Sequence, residues 1–175
     1  GSELLLQSCS LLDNTNSSGL AGAIDSDGVL GESAPALTLD DCTVSRNYGG
    51  RTGGVLLVDG DASIVDSLFE DNEGGSAGGA LNMTGGGEAH FEDSTVTGSA
   101  APVGGAFAVY KGCLLRLTDS AVTNSTSTTV WNGGAALRLD VARLVCSSSG
   151  GDHGIWGGSG GAGLIAVSGG AGGNG

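Results

Sequence analysis

The sequence predicts an all-β solenoid, a parallel β-helix of about six coils of 25–33 residues. Three observations predict it: a short apolar alternation that recurs six times, glycine pairs at a nearly constant step after it, and a composition unsuited to a globular core. Among 175 residues there are 36 glycines and only 4% aromatics, so large side chains cannot interdigitate into a conventional interior. The apolar 39% is mostly Ala, Leu and Val, which bury surface when stacked in regular layers.

The repeat aligns on a small residue at Cys9, Cys42, Ser67, Ser94, Ser120 and Ser147, spaced 33, 25, 27, 26 and 27 apart. Three positions before each anchor stand Leu6, Leu39, Ile64, Phe91, Leu117 and Leu144. Two positions after it stand Leu11, Val44, Phe69, Val96 and Val122, with Ser149 in the last coil. A second apolar column is expected at Ile24, Leu56, Leu81, Phe107, Leu137 and Leu164. Its companion two residues on is Ser26, Val58, Met83, Val109, Leu139 and Ala166. Spacing of i and i+2 is strand periodicity, with alternate side chains facing in.

Between the columns lie the corners. Gly53-Gly54, Gly78-Gly79, Gly104-Gly105, Gly133-Gly134 and Gly160-Gly161 precede the second column, where positive φ or close backbone approach is required. Asn14, Asn47 and Asn72 follow the anchor by five residues and are expected to form a turn ladder in left-handed geometry. The coils run roughly 3–35, 36–61, 62–88, 89–113, 114–142 and 143–168, with a glycine-rich tail at 169–175. All belong to a single repeat domain, read as a piece of a longer surface protein.

Phe69-Glu-Asp-Asn72 followed by Gly78-Gly-Ala-Leu81 resembles the paired FxxN and GGA(I/L/V) motifs of the chlamydial polymorphic outer-membrane protein repeat. The GGA element is matched in all six coils, FxxN cleanly in one; Leu11 and Val44 replace Phe, and Ser99 and Ser125 replace Asn. The resemblance implies a right-handed β-helix displayed at a surface, often adhesive, and carries no catalytic residues.

A net charge of −13 repels nucleic acid and anionic membranes, and no apolar run reaches the length of a bilayer span. Asp41, Asp66, Asp93 and Asp119 precede the anchor in four consecutive coils. Such a column either suits a turn or offers oxygen ligands to Ca²⁺, the one cofactor candidate. Asp25-Ser-Asp27-Gly28 and Asp59-Gly-Asp61 lack the further spaced ligands of a calcium loop and read as acidic turns.

His90, Arg116 and Arg143 share a column four residues before the anchor, on an outward strand face near Asp119. With exposed Trp131 they form the candidate ligand site, suited to carbohydrate. Cys9 and Cys42 are candidates for a disulfide between neighbouring coils. Sequons at Asn16, Asn82 and Asn124 are candidate glycosylation sites. The expected function is a non-catalytic structural or adhesive module at the cell surface or outside the cell. Its partners are other domains of the same parent chain or assembly, and carbohydrate. The alternative is a carbohydrate-binding or carbohydrate-active β-helix using the basic column.

Overall fold

The computed structural model describes residues 2–27, 35–110 and 112–128, together with four later strands, Leu137–Asp140, Arg143–Ser147, Gly154–Gly157 and Ile165–Ser168. The chain is a β-solenoid built wholly from parallel ladders. Each turn passes through a front sheet, a side sheet, a two-residue ladder and a back sheet before climbing to the next.

The front sheet stacks Glu3–Gln7, Ala36–Asp40, Asp61–Val65, Glu88–Glu92, Leu114–Thr118 and Arg143–Ser147 in that order. The side sheet stacks Ser10–Leu12, Thr43–Ser45, Leu68–Glu70, Thr95–Thr97, Ala121–Ser127 and Gly154–Gly157. The back sheet stacks Ile24–Asp27, Val55–Val58, Leu81–Thr84, Phe107–Tyr110, Leu137–Asp140 and Ile165–Ser168. Four successive turns carry a separate strand on every face; in the next, Ala121–Ser127 serves both the side sheet and the short ladder. The six expected coils are thus about four complete turns, with the later strands extending the sheets.

The expected front and side columns hold from the first turn to the fifth. Leu6, Leu39, Ile64, Phe91 and Leu117 are in register, as are Leu11, Val44, Phe69, Val96 and Val122. The core is thin and continuous along the axis. Phe69, Phe91 and Phe107 reach its centre from three different faces, with ring centroids 5.5 and 5.2 Å apart.

Two registers differ from expectation. On the back sheet Ile24 pairs with Val55 and Val55 with Leu81, so the inward column is Ile24, Val55, Leu81, Phe107 and Leu137, and Ile165 takes the next register position in place of Leu164. Its companion is Ser26, Leu57, Met83 and Val109, with Leu139 and Val167 next in register, so Leu57 and Val167 stand where Val58 and Ala166 are expected. Leu56 has outward parity yet is fully buried, as are its register partners Asn82 and Ala108. The corner segment folds over this face, where Asn82 Nδ2 donates to Ala77 O at 3.3 Å. In the sixth turn Leu117 pairs with Cys146 and Leu115 with Leu144, a two-residue slip from the expected Leu117–Leu144 pairing.

Polar residues also stack inside. Cys42 N donates to Ser67 Oγ, Ser67 N to Ser94 Oγ and Ser94 N to Ser120 Oγ, at 3.0, 3.0 and 3.1 Å. Each hydroxyl in turn donates to the carbonyl two residues back, Val65, Glu92 and Thr118. The asparagine ladder is real: Asn47 Oδ1 accepts Asn14 N and Nδ2, and Asn72 Oδ1 accepts Asn47 N and Nδ2. Its left-handed residue is the preceding one, Asp13, Arg46, Asp71 and Gly98, rather than the asparagine. That corner turns Asn47 and Asn72 into the interior, where their amides replace the hydrogen bonds of water.

Of the expected glycine corners, Gly78 and Gly104 adopt positive φ. Gly54 is required for closeness instead, since a Cβ there would stand 2.2 Å from the Ala80 carbonyl oxygen. Gly133-Gly134 and Gly160-Gly161 lie outside the described residues.

Candidate functional site

The outward positions of the front sheet carry the candidate chemistry. Thr38 pairs with Ser63, Ser63 with His90 and His90 with Arg116, giving one column of polar side chains. The parallel in-register ladder spaces these groups by about 4.8 Å. In the neighbouring outward column Asp61 Oδ1 accepts the Glu88 N–H at 2.8 Å. An open groove of about 350 Å³ lies over these turns, lined by Thr38, Asp61, Ser63, Glu88 and His90.

The basic groups are held by bonds from turn to turn. Arg116 Nε donates to Glu88 Oε1 at 2.8 Å, with both side chains about two-fifths exposed. His90 Nε2 and Thr118 Oγ1 are 2.9 Å apart, with the proton on one or the other. Arg143 does not join this column. It pairs with Leu114, and Val145 occupies the place next to Arg116. The slip moves Arg143 two residues along the strand from its expected place.

Asp119 sits at the corner after the front strand, not on its outward face. It shares left-handed φ of 48–52° with Asp41, Asp66 and Asp93, and Ser8 holds the same corner in the first turn. Backbone conformation accounts for this column, because Asp tolerates left-handed geometry better than most residues. The backbone N–H groups of Asp41, Asp66 and Asp93 continue the ladder to Val65, Glu92 and Thr118 carbonyls. Among the described residues, no three His, Cys, Asp or Glu gather closely enough to share a metal.

Cys9 and Cys42 are free thiols rather than a disulfide. Each donates to the carbonyl two residues back, Gln7 at 3.2 Å and Asp40 at 3.3 Å, as the serines below them do. Parallel stacking sets neighbouring Cβ atoms about 4.8 Å apart, beyond the 3.5–4.5 Å that a disulfide spans. Cys113 is also free and buried, and that burial pushes its thiol pKa up.

Of the sequons, Asn16 and Asn124 are exposed, whereas Asn82 is fully buried and cannot meet a glycosylating enzyme once the chain is folded. Trp131 and Gly28 of the first acidic turn lie outside the described residues. Sequence reasoning found His90 and Arg116 but missed Thr38, Asp61, Ser63 and Glu88. The signal was present, since Thr38 and Ser63 fall in the same four-before-anchor column. No family model, curated protein or solved structure matches this chain.

Proposed function

We propose that this chain is a non-catalytic structural or adhesive module of a cell-surface or extracellular protein, presenting outward side chains on a rigid β-helical scaffold. The observation that carries the reading is how the front face uses its basic side chains. Arg116 is committed to Glu88 and His90 to Thr118, so the groups that could act on a substrate instead tie one turn to the next. The inward columns are regular while the outward column passes from Leu5 through the hydroxyls of Thr38 and Ser63 to His90 and Arg116. That is the division of labour of a solenoid that displays a surface. The likeness to the polymorphic outer-membrane protein repeat supports display at a surface, and exposed Asn16 and Asn124 are then the sequons open to a glycan.

A second reading is favoured by the groove. Its hydroxyls, carboxylates and imidazole suit the hydroxyl groups of a neutral polysaccharide lying across the turns, and a net charge of −13 disfavours a polyanion. Affinity electrophoresis through gels cast with neutral and acidic polysaccharides, with and without Ca²⁺, separates the readings. Unchanged mobility and intact polymer support the scaffold. Retardation by a neutral polymer, lost in Ser63→Trp, establishes the groove as a binding site. Depolymerisation in the gel overturns the non-catalytic reading.

A further inference from the structure

Among residues 2–27, 35–110 and 112–128, the four exposed large apolar side chains belong to the first turn: Leu4 at 45%, Leu5 at 59%, Leu12 at 41% and Leu20 at 47%. Leu4 has inward parity and its register partner Leu37 is 2% exposed, so the first turn shows solvent the core surface that each later turn buries. The backbone is open along the same edge. Ala36 N donates to Ser2 O and Ser8 N donates to Asp40 O, so the even residues of this strand bond to the second turn. Parallel-ladder alternation then points the N–H and C=O of Glu3, Leu5 and Gln7 away from it.

We propose that this edge pairs with the same edge of a second copy of the chain, in an antiparallel, two-fold head-to-head dimer centred on Leu5. The strand Glu3-Leu4-Leu5-Leu6-Gln7 is self-complementary under that operation. Leu5 meets Leu5 of the second copy, Leu4 meets Leu6, and Glu3 meets Gln7, whose amide donates one N–H to Asp40 at 2.8 Å and has a second for the carboxylate. The residues brought opposite at Glu3, Leu5 and Gln7 are those whose backbone groups turn away from the second turn, and the Gln7 carbonyl, which takes the Cys9 thiol at 3.2 Å, keeps a second lone pair, so about six N–H···O=C bonds form. Leu4 and Leu6 face inward between them and join the two cores into one. Charge works against this contact overall, because each copy carries −13. Added salt therefore strengthens the association rather than weakening it.

Sedimentation equilibrium of the whole chain across concentration, at low and high salt, tests the pairing. The expected result is a mass that doubles with concentration, at lower concentration in higher salt. Leu5→Pro removes an N–H that the single chain leaves unbonded, so it keeps the fold and abolishes the dimer. Leu5→Lys places like charges at the two-fold axis and shifts the midpoint at least tenfold upward. A dimer indifferent to both substitutions sits elsewhere and overturns the proposal. A monomer under every condition also overturns it, leaving the edge to a coil from elsewhere in sequence.

Discussion

Asp66 is a residue chosen by backbone geometry. Its φ of 49° lies where a Cβ is crowded by the neighbouring carbonyl, and its carboxylate sits on an exposed corner. Asp66→Gly should change stability by only a few tenths of a kcal/mol in urea denaturation, whereas Asp66→Ala should lose about 1 kcal/mol. A calcium column predicts a different pattern, in which Ca²⁺ raises the melting temperature and Asp66→Gly removes the increment. The geometry predicts equal melting temperatures with and without Ca²⁺ in both proteins. Asp13 and Asp25 show how local partners set the acid response. Arg46 binds Asp13 through both carboxylate oxygens, at 2.7 and 2.9 Å, and holds that carboxyl below the usual range. Desolvation, then the nearby Asp27 carboxylate, push Asp25 above it. The Asp13 contribution to stability is therefore present above its unfolded pKa and fades as pH falls through the lowered folded value. That of Asp25 has the opposite sign and is lost as pH rises through its raised value. Carboxyl titration by NMR should find the two midpoints on opposite sides of the ordinary value. Arg46→Ala should move Asp13 upward and leave Asp25 where it is.

At the scale of elements, the asparagine ladder holds the corner between the side sheet and the short ladder across three turns. Asn47 is 1% exposed, takes two bonds from Asn14, gives two to Asn72 and donates to the Leu11 carbonyl at 2.9 Å. Asn47→Ala removes four side-chain bonds, to Asn14, Leu11 and Asn72, that are partly or fully buried, and should cost about 3 kcal/mol in chemical denaturation. A loss below about 1 kcal/mol would mean that water replaces the side chain. The elements also mark what could be read in advance. Columns at Leu39, Ile64 and Phe91 were legible because burial of one strand face writes a period of two. Val55-Leu56-Leu57-Val58 was misplaced by one residue because apolar groups fill both faces of that strand, leaving no parity to read. The two-residue slip at Cys146 was invisible for the complementary reason, since a shift by an even number of residues leaves the period of two in the sequence unchanged. It removed Arg143 from the basic column, so the candidate site was legible only as His90 and Arg116. The groove beside His90 is shaped by Glu88 and Asp61, whose turn-to-turn bonds no periodicity encodes.

The whole molecule is quasi-one-dimensional, with each turn resting only on its neighbours. Stability should then vary along the axis rather than belong equally to every residue. The second to fourth turns have covered cores on both sides, and the three phenylalanines pack within them. The first turn is covered on one side, which leaves Leu4 at 45% exposure against 2% for Leu37 beneath it. Amide hydrogen exchange on dilute protein should accordingly show the slowest amides in Ala36–Asp40, Asp61–Val65 and Glu88–Glu92. The amides of Leu4 and Leu6, although bonded to the second turn, should exchange through a local opening at least tenfold faster. Equal protection of the first and third turns would show that the solenoid opens as one unit, with coupling between turns stronger than the loss of one covering layer. Raising the protein concentration adds a second readout. If the first turn finds a partner at its open edge, protection should rise at Glu3, Leu5 and Gln7, whose N–H groups the single chain leaves to water.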